Sequence, residues 1–146
     1  MKRNLTIVAS MLALAVPAIA LAQATRVTHV GKLDDVAGSQ VKFKEVTRDG
    51  SRELTSFTVR DFELDCKGGT VGLIEVAKLT GKIAVSDAGT FKINDDNGKT
   101  LFKAFGAINR NKAIGRFRYS GQIEGDDRVT RRCDSGRLSW ITRPSQ

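Results

Sequence analysis

The sequence predicts an all-β protein: a single antiparallel β-sandwich of about eight or nine short strands with one disulfide, or alternatively a small β-barrel. Three observations lead to this prediction. Short segments alternate apolar and polar residues, as strands with one buried face do. Glycine, aspartate and asparagine separate these segments at intervals of about ten residues. The chain also has two cysteines, and an even count in an exported protein indicates a disulfide.

Residues 1–22 are predicted to be an export signal rather than part of the fold. Lys2 and Arg3 precede the apolar run at 5–16, and small residues lead up to a cleavage point after Ala22. The run is shorter than the roughly 20 apolar residues that a membrane span needs. We therefore expect a secreted or periplasmic protein without a membrane span.

The mature chain, residues 23–146, is predicted to form one domain. Its 124 residues suffice to bury about two thirds of the unfolded surface. Loss of the two basic residues of the signal lowers the formal net charge from +8 to +6, and this excess lies after residue 100. Such a charge favours anionic partners, namely acidic glycans, wall polymers, lipid headgroups or an envelope protein. An exported protein is not expected to bind nucleic acid.

Alternation and turn residues predict the strands of the first half. Strands are expected at residues 26–30 and 40–46, and the Asp-Gly pair at 49–50 is a favoured hairpin turn. The next strand, residues 54–66, changes the parity of its apolar residues near 60–61. A bulge or corner at that point explains the change.

The middle of the chain contains the one ambiguous segment. Residues 70–79 fit either a strand or a short helix, and Gly72 weakens the helical interpretation. Strands are predicted at 82–87 and 89–95. The Asn-Gly pair at 97–98 that follows is the strongest hairpin signal in the sequence.

The last third predicts four further strands with glycine- and aspartate-rich turns between them. They are expected at residues 101–109, 113–123, 128–133 and 138–142. Asp134-Ser135-Gly136 resembles the triplet of aspartic proteases, but the chain lacks a second matching carboxylate segment. These three residues are turn formers, so we interpret them as a tight turn. Trp140 is predicted to lie in the core, because large aromatic side chains dominate core burial.

Cys66 and Cys133 are predicted to form the disulfide. They lie 67 positions apart, so the bridge would close a long loop and stabilise the fold by about 4 kcal/mol. The competing interpretation, two free thiols of which one is catalytic, needs a positioned base. The single histidine, His29, lies near the mature N-terminus and is not expected to serve. We therefore assign no catalytic residue.

Basic residues on the last strands form the candidate binding site. Alternation sends Phe117 and Tyr119 to one face of their strand and the two neighbouring arginines to the other. If the last strands are neighbours, one sheet face is basic and can dock a polyanion. An ordinary solvated face remains the alternative. The candidate residues are Lys103, Arg116, Arg118, Arg131 and Arg137.

No metal ligand or cofactor is predicted. The paired aspartates at 34–35, 95–96 and 126–127 all lie in turns. The segment at 95–99 faintly resembles a calcium loop, but it lacks spaced carboxylates and a terminal glutamate. Zinc-ligand spacing, a phosphate-binding glycine loop and a Gly-x-Ser-x-Gly motif are all absent from the sequence.

The last 60 or so residues resemble a loose group of small exported bacterial all-β proteins of uncharacterised function. In that group, Gly-x-Phe strands precede a disulfide cysteine and a final tryptophan. The resemblance implies a β-sandwich with a Cys66–Cys133 bridge, and it implies no activity. The residues that carry it are Gly89, Phe91, Ala113, Gly115, Phe117, Cys133, Ser135, Gly136 and Trp140.

Two functions are therefore expected from the sequence. The first is a non-enzymatic binding or envelope-associated domain that holds an anionic glycan, a wall polymer or a protein on its basic face. The alternative is a small secreted polysaccharide-active enzyme, a hydrolase or lyase on a β-sandwich. Tyr119 and Arg118 are the only pair that suggests an enzyme, and alternation places them on opposite faces. The oligomeric state is not predicted.

Overall fold

A computed structural model describes residues 23–145, and the predicted signal at 1–22 lies outside the described residues. The described chain is all-β, as predicted, and within residues 23–145 no helix is long and apolar enough to cross a membrane. The strands, in chain order, are β1 (Thr25–Leu33), β2 (Gln40–Arg48), β3 (Ser51–Cys66), β4 (Val71–Val85), β5 (Thr90–Asp96), β6 (Thr100–Ile108), β7 (Ala113–Glu124), β8 (Thr130–Asp134) and β9 (Leu138–Pro144).

All nine strands belong to one antiparallel sheet. Hydrogen-bonded neighbours follow the order β4-β3-β2-β1-β9-β7-β6-β5, and the short β8 pairs with both β3 and β7. The sheet folds over so that its two halves lie face to face, as expected for a sandwich. One half consists of β1 to β4, and the other consists of β5 to β7. On one side β9 pairs with β1 and β7, and on the other side β8 pairs with β3 and β7.

The space between the two halves is filled by aromatic side chains. Phe62 on β3 packs edge-on against Phe117 on β7, with ring centroids 5.2 Å apart. Phe57 on β3 meets Phe102 on β6 in the same manner at 6.1 Å. Edge-to-face pairs of this kind add stability beyond the apolar area they bury. The core therefore ties the first strands to the last ones.

Trp140 lies in this core, as predicted, with only 1% of its surface exposed. It stands opposite Gly115 of β7, which in turn stands opposite Gly106 of β6. A Cβ atom at Gly106 would lie 2.6 Å from Cζ2 of the indole ring, closer than real Cβ contacts come. The absence of two side chains thus makes room for the indole across neighbouring strands.

The ambiguous segment at residues 70–79 is a strand, and the helical interpretation was wrong. It continues to Val85 as the single long β4, whereas the sequence predicted two segments, the second reaching residue 87. Gly81 adopts a φ of 142°, and the pairing of β4 with β3 shifts register at this point. Glycine therefore introduces a bulge into the strand where the sequence suggested a break.

The predicted change of parity near residues 60–61 is confirmed. Phe57 and Phe62 are both fully buried although their positions differ in parity. Asp61 between them has a φ of 55°, which aspartate tolerates better than most residues. This irregularity lets β3 pair with β2 along one part of its length and with β8 at its end.

Both predicted hairpin turns are present. Asp49 and Gly50 have φ values of 51° and 78°, the combination that a two-residue type I′ turn between β2 and β3 requires. At the β5–β6 turn Gly98 has a φ of 80°, and the side-chain oxygen of Asn97 accepts hydrogen bonds from the N–H groups of Lys99 and Thr100. These turns fix the register of the strands that they join.

The predicted disulfide is confirmed. Cys66 at the end of β3 and Cys133 on β8 are directly opposite each other, with Cα atoms 3.9 Å apart, and their sulfurs are bonded. The bridge therefore reinforces the short contact through which β8 connects the two halves of the sheet.

Candidate functional site

The last strands expose a surface rich in basic side chains. Alternation along β6 and β7 turns Phe117 into the core and leaves Lys103, Arg116 and Arg118 outside, as predicted. The pairing of β5, β6 and β7 then fixes which side chains are neighbours. We define the basic face as the exposed or half-exposed side chains of Lys92, Lys103, Phe105, Arg116, Arg118 and Arg137.

Strand register brings these side chains together. Lys103 stands opposite Arg118, and Phe105 stands opposite Arg116 on one neighbour and opposite Lys92 on the other. Side chains directly opposite each other in an antiparallel pair have Cβ atoms about 5 Å apart. The six residues line an open hollow of about 360 Å³. The phenyl ring of Phe105 stands between two cations and is 52% exposed.

Arg118 differs from the other cations because it is held by a carboxylate. Its Nε and Nη2 both donate to Asp134, with the shortest contact 2.5 Å from Nη2 to Oδ2. The hydrogen bond from Arg118 lowers the pKa of Asp134 and raises the pKa of Arg118. The charge of Arg118 is thus partly neutralised, and this residue is fixed in place beside the hollow.

The other four cations of the basic face are unpaired. Across residues 23–145, no carboxylate lies within salt-bridge distance of the ammonium or guanidinium groups of these side chains. Unpaired charges on one surface add their potentials and attract anions. They are Lys92, Lys103, Arg116 and Arg137.

Arg131, the remaining candidate residue, lies apart from the basic face. It lies on β8 opposite Ile123, where Nη2 and Nη1 donate to the carboxylate of Asp127 at 2.5 and 2.8 Å. This pairing lowers the pKa of Asp127. Alternation along a strand does not reveal which residues of the neighbouring strand stand opposite, so the surroundings of Arg131 could not be predicted from the sequence.

Phe105 and Lys92 belong to the basic face, although they are not among the candidate residues predicted from the sequence. The exposure of Phe105 could have been predicted from alternation, since Phe105 has the same parity as Lys103, whereas Phe102 and Ala104 are buried on the other side. Alternation therefore predicts that Phe105 lies on the solvent side of β6 together with Lys103. Lys92 could be placed only once β5 was known to pair with β6.

Tyr119 and Arg118 are not brought together. The tyrosine ring packs against Phe62 of the core at a centroid distance of 5.9 Å, while Arg118 points outward to Asp134. The turn after Cys133 is built as expected. The Gly136 N–H donates to Asp134 Oδ1, and the Ser135 hydroxyl accepts from the Tyr119 N–H at 2.9 Å. Asp134 and Ser135 therefore serve the turn and its neighbouring strand.

A second polar cluster consists of His29 on β1, Glu45 on β2 and Arg52 on β3. Of these residues, the sequence analysis considered only His29. His29 is 2% exposed, and its Nε2 lies 3.0 Å from Glu45 Oε2. The other carboxylate oxygen of Glu45 accepts a hydrogen bond of 2.6 Å from Arg52 Nε. These bonds, that of His29 first, lower the pKa of Glu45 against the opposing effect of burial. Glu45 is therefore an anion in the folded protein at neutral pH.

Within residues 23–145, no group of three or more histidine, cysteine, aspartate or glutamate side chains could hold a metal ion.

The sequence matches no family model, no curated protein and no solved structure. The resemblance to small exported all-β proteins therefore stays a prediction, and the geometry of the basic face is the basis for a proposal about function.

Proposed function

We propose that this protein is a secreted or periplasmic, non-enzymatic binding domain of the cell envelope that holds an anionic glycan or wall polymer on its basic face. The observation that carries the proposal is the cluster of four unpaired cations around the exposed ring of Phe105. The carboxylates of the other described salt bridges do not neutralise these four cations.

The shape of the site supports a linear polymer rather than a small ion. The hollow is shallow and open, and its cations come from three adjacent strands and from the segment that precedes β9. A single small anion could contact only one or two of these groups. A chain that carries several anionic groups could contact all of them at once, and its affinity would rise with each contact.

Phe105 supports a glycan among the anionic polymers. The faces of pyranose rings present C–H groups, which pack well on the flat apolar face of an aromatic ring. About half of the Phe105 side chain is exposed, and this half would bury apolar area against a bound sugar. The combination of a ring and flanking cations fits an acidic sugar, for example a uronic acid unit.

Retention on an anionic glycan tests the proposal. Purified protein lacking residues 1–22 is applied to immobilised polygalacturonate, and the salt concentration at elution is measured. Lys103→Ser with Arg116→Ser is expected to elute at clearly lower salt than the unmodified protein, because two contacts are lost and salt screens the rest. The matched control is Lys42→Ser with Lys44→Ser, which removes the same charge from exposed positions of β2.

If both double variants elute together, the protein is retained by net charge alone and the basic face is not the site. Phe105→Ala provides the second arm. It should weaken retention on polygalacturonate and leave retention on polyglutamate, which has no sugar rings, unchanged. Equal effects on both polymers would contradict the assignment of a glycan.

A further inference from the structure

Strands β4 and β5 follow each other in the chain but do not pair. The turn between them is closed by hydrogen bonds: the Ser86 N–H donates to the Thr90 carbonyl at 2.8 Å, and the Gly89 N–H donates to the Ser86 carbonyl at 2.8 Å. Beyond this turn, no ladder joins the two strands anywhere in residues 23–145. Each strand therefore presents one unpaired edge to the other, and both ends of the sheet path meet at this place.

A hollow of about 980 Å³ lies between these edges. Its walls are mixed, and their apolar part belongs to side chains of the core or packed against it. Phe91 and Ile93 of β5 are 4% exposed, and Leu79 and Ile83 of β4 are half-buried against the same core. We call this hollow the edge cleft. A ligand in the edge cleft would cover the exposed parts of Leu79 and Ile83.

The chemistry of the edge cleft selects a polypeptide. Edge strands present a row of N–H and C=O groups that have no partner in the sheet. A glycan or an acyl chain cannot satisfy alternating donors and acceptors on two facing edges, whereas an extended peptide backbone does so by joining the sheet as an additional strand. Alternate side chains of such a strand would point into the core and contact Ile83 and Ile93.

The charged residues around the edge cleft favour an acidic peptide. Lys82 on β4 and Lys92 on β5 flank the edge cleft from opposite sides, with Asp95 the only carboxylate in its lining. We propose that the edge cleft binds an extended, acidic peptide segment of a partner protein by strand addition between β4 and β5. The edge cleft shares Lys92 with the basic face, whereas Lys82 lies outside the basic face, so changes at Lys82 test this inference separately from the proposed function.

The same features disfavour a second copy of this chain as the occupant. The bulge at Gly81 interrupts β4, and Lys78 and Lys82 lie exposed on either side of it. Bulges and lysines on an edge strand are the devices by which β-proteins prevent pairing with their own copies. An acidic strand escapes this restriction because it neutralises the lysines. In contrast, β5 pairs with β6 without a register shift and offers seven regular residues.

Selection from a random dodecapeptide library displayed on phage tests the inference. We expect enriched peptides to alternate apolar and polar residues and to carry aspartate or glutamate at the polar positions. The best peptide is then synthesised, and its affinity is measured by calorimetry before and after N-methylation of alternate backbone amides. Methylation on the paired face should abolish binding, because it removes the donors that strand addition uses.

Variants of the protein locate the site. Lys82→Glu should weaken the selected peptide about two- to fivefold, the range expected for an exposed ion pair. A peptide in which lysine replaces the acidic residues should bind the Lys82→Glu variant with the affinity that the acidic peptide loses. Lys78→Glu is the matched control, since it makes the same change on the same strand outside the lining of the edge cleft, and its affinity should stay unchanged.

Three outcomes would overturn the inference. The first is a selection that enriches no peptide over the background. The second is full affinity after N-methylation, which would mean that the edge cleft accepts apolar side chains without strand addition. The third is a dimer in sedimentation equilibrium that Lys82→Glu strengthens, which would assign the edges to a second copy of the chain.

Discussion

Trp140 places its indole ring over Gly106, where a Cβ atom would lie 2.6 Å from Cζ2 and 2.9 Å from Cε1 of Phe91. The neighbouring atoms belong to buried aromatic side chains, which have little room to move in a densely packed core. We therefore expect Gly106→Ala to lower the free energy of unfolding by about 1–3 kcal/mol, the usual cost of overpacking. Urea denaturation monitored by circular dichroism measures this effect, because variants at Trp140 lack the only tryptophan of the chain.

Gly72→Ala is the matched control for this prediction. Gly72 also lies within a strand, but a Cβ there would meet its nearest atom, the sulfur of Cys66, at an ordinary 3.4 Å. The free energy of unfolding of the Gly72→Ala variant should stay within about 0.5 kcal/mol of that of the unmodified protein. Combining Gly106→Ala with Trp140→Phe should cost less than the sum of the two single changes, because the second relieves the first. Simple additivity would contradict the proposed contact.

Glu45 carries a pH-dependent part of the stability. His29 and then Arg52 hold its pKa below the ordinary value of 4.5. A lowered folded-state pKa adds stability that is complete above the unfolded-state pKa and is lost as the pH falls through the folded-state value. Glu45→Gln should cost about 1.5–3 kcal/mol at pH 7, the value of hydrogen bonds to a charged group.

The difference between Glu45→Gln and the unmodified protein should therefore be largest above pH 4.5 and shrink below it. Denaturation curves collected between pH 7 and pH 3 measure this dependence. Glu53→Gln, one strand away and in none of the described salt bridges, is the control. A difference that stays constant with pH would show that the cost of Glu45→Gln comes from packing and not from charge.

At the level of elements, the contact between the short strand β8 and β3 has the fewest backbone pairs and depends most on the disulfide. Strand β8 pairs with the end of β3 through only two residues, and one of these pairs is the disulfide itself. We expect Cys66→Ala with Cys133→Ala to lower the free energy of unfolding by about 4 kcal/mol, because the bridge closes a loop of 67 residues. Guanidinium denaturation gives this value from the shift of the midpoint.

Reductant supplies the control for the disulfide prediction. Added dithiothreitol should bring the unmodified protein down to the stability of the double variant and leave the double variant unchanged. If the double variant unfolds within about 1 kcal/mol of the oxidised protein, the pairing of β8 with β3 holds without the bridge.

Elements were predictable where local chemistry decides them. Positive φ at residues 49–50 and 98, and the change of parity at Asp61, follow from residue types that tolerate these conformations. The sequence failed at β4, where Gly81 forms a bulge rather than an end, since both uses of glycine leave the same local pattern. The position of Arg131 relative to the other cations could not be predicted, because the neighbour of a strand depends on pairing across the whole chain.

At the scale of the whole molecule, one folded sheet yields two different surfaces. The outer side of β5, β6 and β7 presents the basic face, while the unpaired edges of β4 and β5 form the edge cleft. Lys92 and Phe105 line both hollows, so ligands at the two surfaces would be neighbours. The aromatic core and the disulfide hold the halves of the sheet together, which keeps the strands of the basic face in register.

The central claim is that the basic face holds an anionic glycan, and chemical-shift mapping tests it most directly. A short oligogalacturonide is added to ¹⁵N-labelled protein, and amide shifts are followed by two-dimensional NMR. The account predicts saturable shifts at Lys92, Lys103, Phe105 and Arg116, with little change along β1 and β2. Shifts spread evenly over all basic residues, or centred on β1 and β2, would contradict it.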